Sequence, residues 1–103
     1  MRKLLFFTSI QSFEWDEANI KKNWKKHRIS DEESEQVFYN KPQLISRDKK
    51  HSKEERRYHS LGKSDSGRLI FISFTIRDRA IRIISARPQN KKERSLYEET
   101  KRI

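Results

Sequence analysis

Hydrophobic and polar residues alternate with a period of two through the second half of the chain, from Gln43 onward. The alternation is clearest between residues 69 and 76, where one face carries Ile70, Ile72, Phe74 and Ile76. A period of two is typical of β-strands, because successive side chains point to opposite faces of a sheet. The pattern predicts four strands joined largely as a meander: Leu44–Asp48, Arg57–Gly62, Leu69–Ile76 and Ile81–Arg87.

The last of these strands combines apolar residues with two arginines. Strict alternation would place one set of side chains on one face of the sheet, namely Ile81, Ile83, Ser85 and Arg87. The other face would then carry Ala80, Arg82, Ile84 and Ala86. A guanidinium group is rarely buried without a partner. We therefore expect Arg82 and Arg87 to face solvent, a carboxylate or a phosphate.

The first half of the chain shows helical rather than alternating spacing. A short strand at Phe13–Trp15 precedes Asp16, which has the character of a helix N-cap. The helix is expected to run to about Arg28, with one face formed by Ile20, Trp24 and His27. Two S/N-x-x-E capping boxes then predict further helices, one opened by Ser30 and Glu33 and the other by Asn90 and Glu93.

These elements predict an α+β fold. We expect a single antiparallel β-sheet of about four main strands plus a short N-terminal strand, with two N-terminal helices and one C-terminal helix on one face. The whole chain, residues 1–103, is predicted to form one domain. Residues 1–12 are an N-terminal extension in which Leu4–Phe7 could form an edge strand.

Composition narrows the classes of partner. The formal net charge is +10, from 25 Lys and Arg residues against 15 Asp and Glu, and this favours a polyanionic partner over an uncharged one. A soluble basic domain without such a partner stays an alternative, and an anionic membrane is a weaker one because no basic helix carries a broad apolar face. The chain has no cysteine, and its N-terminal apolar run is short for a signal peptide, so we expect a cytoplasmic protein.

The residue types exclude several chemistries and favour one. The three histidines are scattered, and the two glycines cannot build a phosphate-binding loop, so neither a metal site nor a cofactor is expected. Arginines on strands can instead hold a phosphodiester backbone. RNA carries its own nucleophile, the 2′-hydroxyl, so a protein needs only to align it, move protons and neutralise charge. The candidate residues for that chemistry are His51, Glu55, Arg57, Arg87 and Tyr97.

Each candidate also has a structural explanation. Arg57 could pair with Glu55 or Asp48 across the sheet, and Glu55 could orient Arg57 rather than act as a base. A salt bridge within the sheet is the favoured role for Arg82, and packing on the sheet is the default role for Tyr97. Trp15 and Trp24 are expected in the core, with base stacking as a second role.

An ordered series of short motifs resembles the BrnT toxins of bacterial type II toxin–antitoxin modules, which have a RelE-like fold. The series covers residues 13–98, and its members are Phe13-Glu14-Trp15-Asp16, Asn23, Lys26-His27, Ser30, His51-Ser52, Glu55, Arg57, Leu61-Gly62, Gly67-Arg68-Leu69, Ile81 to Arg87, Glu93-Arg94 and Tyr97-Glu98. The chain departs from the family pattern at Arg28, where a glycine is common, at Arg56, where an acidic residue is frequent, and in the turn Arg77-Asp78-Arg79, which lacks a glycine.

The resemblance implies a metal-independent endoribonuclease that cleaves RNA and inhibits translation. It also implies a cognate, BrnA-like antitoxin, which would neutralise the toxin and with it bind operator DNA. On this interpretation Arg57, Arg87, His51, Glu55 and Tyr97 are catalytic. RNA contacts would come from Arg82, Ser85, Lys26 and Arg68. Two alternatives remain, namely a non-catalytic basic module that binds RNA or DNA, and an interaction protein whose activity is lost and whose partner is the antitoxin.

Overall fold

The computed structural model describes residues 12–52 and 55–101 and has the predicted α+β fold. Its elements, in chain order, are β1 (Ser12–Trp15), α1 (Glu17–His27), α2 (Asp31–Gln36), β2 (Leu44–Asp48), β3 (Arg57–Lys63), β4 (Leu69–Arg77), β5 (Ala80–Pro88) and α3 (Lys91–Lys101). Every predicted strand and helix from residue 12 onward is present. The possible strand at Leu4–Phe7 lies outside the described residues.

The predicted caps explain where the helices begin. The Asp16 carboxylate accepts a hydrogen bond from the Ala18 amide at 2.8 Å, and the Ser30 hydroxyl accepts one from the Glu33 amide at 3.0 Å. At α3 the box is reciprocal, since Asn90 and Glu93 each accept the backbone N–H of the other through their side chains. These bonds satisfy amides that a helix leaves without intrahelical partners.

All five strands form one sheet in the order β1-β5-β4-β3-β2. Strands β2 to β5 make an antiparallel meander, as predicted, and the β4–β5 connection is a two-residue turn in which Asp78 and Arg79 both have positive φ. Strand β1 pairs with β5 in parallel, so the sheet is mixed rather than wholly antiparallel. A parallel pair cannot be joined by a tight hairpin, and the long connection through helices and three strands between β1 and β5 permits this pairing.

A β-bulge in β5 changes which residues share a face. Ser73 pairs with Ser85 but the next residue, Phe74, pairs with Ile83, so Ile84 is an extra residue in β5. A bulge of this kind reverses the alternation beyond it. The expectation that Ser85 and Arg87 share a face with Ile81 and Ile83 was therefore wrong, and both lie on the face of Arg82.

The main core lies between one face of the sheet and the α1–α2 region. Its fully buried members include Ile29, Val37, Ile72, Phe74 and Ile83. Helix α3 lies on the opposite face of the sheet, because Glu93 in its first turn binds Arg87, whose side chain is on that face. The prediction of all helices on one face was therefore wrong.

Trp24 was also misplaced by the sequence pattern. Its side chain is 49% exposed and lies 5.4 Å from the guanidinium carbon of Arg28, whereas the neighbouring Asn23 is buried. Helix α1 packs on β5, and the pairing of β1 with β5 ends at Ile83, before Ala86. There the Asn23 amide oxygen accepts the Ala86 N–H at 3.2 Å. A polar residue thus faces the sheet, and the tryptophan turns outward.

Candidate functional site

The face of the sheet away from the main core, here called the open face, carries most of the chain's candidate chemistry. Strand register lines its side chains up in rows across the sheet. One row is Glu14, Arg82, Thr75, Arg57 and Asp48, and the next is Ser85, Ser73, His59 and Ser46. Neighbouring strands lie about 4.8 Å apart, so the backbones of Arg82 and Arg57 are about 10 Å apart. The two arginines therefore flank a central strip of small hydroxyl residues.

Asp48, at the end of β2, joins two histidines. One of its carboxylate oxygens, Oδ2, lies 2.9 Å from His51 Nδ1 and 3.0 Å from His59 Nε2. Its other oxygen accepts the His51 backbone N–H at 3.2 Å. Asp48 is only 7% exposed, and this burial opposes ionisation, but the hydrogen bonds from His51 and the positive charges of both histidines lower its pKa below the ordinary value. An ionised Asp48 accepts from both rings through one nitrogen each, and among the described residues the other nitrogen of each imidazole has no hydrogen-bond partner and can transfer a proton.

The loop after β2 is tied to the start of β3 by Ser52. The Ser52 hydroxyl donates to the Asp48 carbonyl oxygen and accepts the Arg57 backbone N–H at 3.0 Å. The Thr75 hydroxyl of β4 donates to the Arg56 carbonyl at 2.8 Å. These bonds fix His51 and Arg57 relative to the sheet.

The arginines on or beside the open face differ in how they are neutralised. Among the described residues, Arg57 makes no ion pair, although its charge contributes to the environment of Glu55. Arg82 has a distant partner, the Asp16 carboxylate at 3.8 Å. Arg77 and Arg87 each form two hydrogen bonds to one carboxylate. Arg57 and Arg82 are therefore the cations most available to an incoming phosphate.

Glu55 is the carboxylate bound by Arg77, through contacts of 2.5 and 3.1 Å. The Arg77 hydrogen bonds lower the pKa of Glu55, and the charges of Arg82 and Arg57 lower it further, although partial burial opposes them. Such a carboxylate is a weak base at neutral pH. Its contacts favour a role in positioning Arg77.

Arg87 lies in a more enclosed setting. Its two terminal nitrogens donate to the two oxygens of Glu93 at 2.8 and 2.9 Å, and its guanidinium carbon lies 3.9 Å from the centre of the Phe71 ring. Burial opposes ionisation of Glu93, but the Arg87 hydrogen bonds and the Asn90 backbone N–H lower its pKa. The ring of His59 contacts the same Phe71, at 4.8 Å between ring centres. Arg87 and the histidine pair are thus linked through one aromatic side chain.

Comparison with known proteins identifies the family. Residues 15–93 match the family model of the ribonuclease toxin BrnT of type II toxin–antitoxin systems. The chain belongs to the BrnT family. Membership in this family implies an antitoxin partner, and it confirms the resemblance found in the sequence. No curated protein matches the chain.

A solved structure supports the fold. The crystal structure of the Brucella abortus ribonuclease toxin BrnT matches with a TM-score of 0.58 and 20% sequence identity, over 79% of this chain and 99% of that one. At this identity the likeness concerns the fold alone. It agrees with the α+β architecture described above.

Three residues of the predicted BrnT site are not among the side chains of the two open-face rows. Tyr97 is fully buried in α3, with its hydroxyl donating to the Pro42 carbonyl at 2.6 Å, and burial raises its pKa. The Arg68 guanidinium binds the carbonyl oxygens of His27 and Arg28 and the Glu33 carboxylate, so it joins the end of α1 to the sheet. Lys26 is exposed on α1. The other predicted residues, His51, Glu55, Arg57, Arg82, Ser85 and Arg87, lie on the open face or at its margin.

The sequence alone did not single out His59, Asp48 or Glu93. Alternation along β3 does place His59 on the face of Arg57, two residues away, and that signal was available. The pairing of Asp48 with His59 depends on the β2–β3 register, which has no local sequence signature, whereas His51 is only three residues from Asp48. In the residues that the structure describes, no three His, Cys, Asp or Glu side chains form a metal-binding group, and none of the helices has the length and apolar character that crossing a bilayer requires.

Proposed function

We propose that this BrnT-family chain is an endoribonuclease whose site is the open face, and that it cleaves RNA by attack of a 2′-hydroxyl on the adjacent phosphate. The observation that carries the proposal is one buried carboxylate, Asp48, which orients two imidazoles beside Arg57, a cation with no ion pair among the described residues. A passive RNA-binding surface would need the arginines but not an oriented pair of proton-transfer groups.

The proposed step uses the two histidines as base and acid. One imidazole takes the proton of the 2′-hydroxyl as its oxygen forms a bond to phosphorus. The other, protonated, gives its proton to the 5′-oxygen as the phosphorus–oxygen bond breaks. Arg57 and Arg82 stabilise the negative charge that develops on the phosphate oxygens, and the products are a 2′,3′-cyclic phosphate and a 5′-hydroxyl. The 2′-hydroxyl is the nucleophile, so the step requires neither a covalent enzyme intermediate nor a metal.

The proposal extends to the biological role. Cleavage of RNA by this chain would inhibit translation in the cytoplasm, and the implied antitoxin would be BrnA-like. Because the open face is arginine-rich, we expect an acidic antitoxin segment to cover it. Binding to operator DNA would belong to the toxin–antitoxin complex. We also propose that residues 1–103 form one domain.

A cleavage assay with matched arginine variants tests the site. The purified protein is incubated with labelled single-stranded RNA in excess EDTA, together with Arg57→Ala and Arg47→Ala. Arg47 is the control because it precedes Asp48 in β2, points to the other side of the sheet and is exposed. We expect wild type and Arg47→Ala to produce cyclic phosphate ends, and Arg57→Ala to be slower by about 10²- to 10³-fold, as for loss of one transition-state hydrogen-bond donor.

The opposite results are equally informative. Cleavage at the wild-type rate by a folded Arg57→Ala variant would remove Arg57 from the site. Binding of RNA without cleavage by the wild type, on free RNA and on translating ribosomes alike, would favour the non-catalytic binding module. Cleavage only on ribosomes would retain the nuclease and make it ribosome-dependent.

A further inference from the structure

We propose that Arg87 binds a nucleobase of the RNA substrate by stacking, and is not one of the cations that bind phosphate. The inference rests on the proposed function, because it assigns a subsite of the same open face. It gives Arg87 a different role from Arg57, although both arginines lie on neighbouring parts of one sheet.

The first argument is that the charge of Arg87 is already neutralised. Its two terminal nitrogens bind both oxygens of Glu93, and one of them also donates to the Pro88 carbonyl oxygen at 3.1 Å. Glu93 is itself anchored, because its carboxylate accepts the Asn90 N–H at 2.9 Å as part of the α3 capping box. A phosphate would have to displace this two-point contact, whereas Arg57 has no competing carboxylate among the residues that the structure describes.

The second argument is that the plane of Arg87 is fixed over an aromatic ring. Phe71 lies directly opposite Arg87 in the β4–β5 pairing, and the guanidinium carbon is 3.9 Å from the ring centre. Glu93 occupies the edge of the guanidinium and Phe71 one of its faces, yet 36% of the side-chain surface stays exposed. We infer that the second face of the guanidinium is open. Nucleobases stack on guanidinium planes as they do on aromatic rings.

The position of Arg87 suits this role. It follows Ser85 by two residues on β5, which is about 7 Å along the strand. Ser85 lies in the row beside Arg82 and Arg57. A nucleotide with its phosphate between those two arginines could therefore extend its base, or that of a neighbour, toward Arg87.

Salt dependence of binding distinguishes stacking from phosphate contact. The probe is a short fluorescein-labelled RNA with 2′-fluoro groups, which lacks the nucleophile and is not cleaved. Each protein–phosphate contact on a single strand contributes about 0.7 to the slope of log affinity against log salt concentration. We expect Arg57→Ala to reduce that slope by about 0.7. Arg87→Ala should weaken binding by about 5- to 150-fold at every salt concentration and leave the slope unchanged.

Two further measurements make the test independent of charge and of folding. Arg87→Lys keeps the charge but loses the plane, so its affinity should fall as far as that of Arg87→Ala. In a series of the same strand with one abasic nucleotide at each position in turn, one position should weaken wild-type binding and abolish the difference between wild type and Arg87→Ala. The Arg47→Ala variant should behave as wild type throughout.

Several outcomes would overturn the inference. They are wild-type affinity in Arg87→Lys, a slope lowered by about 0.7 in Arg87→Ala, or an Arg87 effect that persists at every abasic position. A wild-type protein that binds the probe but cuts RNA neither free nor on translating ribosomes would refute the nuclease proposal instead, and the slopes and abasic series would still decide the role of Arg87. A wild type that binds no probe would refute the Arg87 inference, and one that also cuts no RNA on translating ribosomes would refute both proposals.

Discussion

The contact between Gly62 and Val37 makes the packing of α2 against the sheet testable. Gly62 lies in β3 opposite Ile70, on the core face, and a Cβ atom added to it would lie 2.6 Å from Val37 Cγ1 and 3.5 Å from the Val37 carbonyl oxygen. Val37 is fully buried just after α2, and its β-branched side chain has few alternative rotamers. The substitution Gly62→Ala therefore forces the backbone around α2 to move.

The expected cost is that of overpacking a core, about 1–3 kcal/mol of unfolding free energy. For a domain of this size each kcal/mol lowers Tm by about 4–8 °C. Val37→Ala alone should also destabilise, because it leaves a cavity. In the double variant the new methyl group occupies part of that cavity, so the double should be more stable than the sum of the singles predicts, by about 1 kcal/mol.

Urea unfolding of the four proteins measures this coupling. Gly67→Ala is the matched control, because Gly67 has a φ of +86° but no atom within 4 Å of an added Cβ. Its cost should come from backbone conformation alone and should add to that of Val37→Ala. Additivity of Gly62→Ala and Val37→Ala within about 0.5 kcal/mol would refute the reasoning. RNA cleavage should persist in the folded variants, since Gly62 faces away from the open face.

Two further predictions concern the site. Tyr97→Phe removes the hydrogen bond to the Pro42 carbonyl and should cost about 1 kcal/mol of stability while leaving the cleavage rate unchanged; loss of cleavage in the folded variant would instead make Tyr97 a proton donor. The folded-state pKa of Asp48 lies below its ordinary value of 3.8, so its ionised form contributes stability that is fully present above that pH and is lost as the pH falls through the folded pKa. The stability advantage of wild type over Asp48→Asn in unfolding measurements should therefore shrink at acidic pH, and a difference independent of pH would contradict this.

Local sequence patterns determined the secondary structure of this protein. Alternation located the four main strands to within one residue at each end, because a sheet buried on one face selects apolar side chains at every second position. Capping residues located the helix starts in the same way, since Asp16, Ser30 and Asn90 each satisfy amides within a few residues of themselves. The net charge indicated a polyanionic partner, and the ordered motifs indicated the family. All these signals depend on interactions close in the chain or on composition.

Tertiary structure alone decided how those elements form a site. The extra residue at Ile84 places Ser85 and Arg87 on the open face, and no residue type in β5 predicts a bulge. Asp48 reaches His59 because β2 pairs with β3 in one register, and Glu93 neutralises Arg87 because α3 folds back on the sheet. Helix packing also explains why Tyr97 is buried and Trp24 is exposed, because each depends on which face its helix turns toward the sheet. Strand register and helix packing decide these contacts. Local sequence patterns reflect interactions between residues close in the chain, so they do not specify which strands and helices pack together.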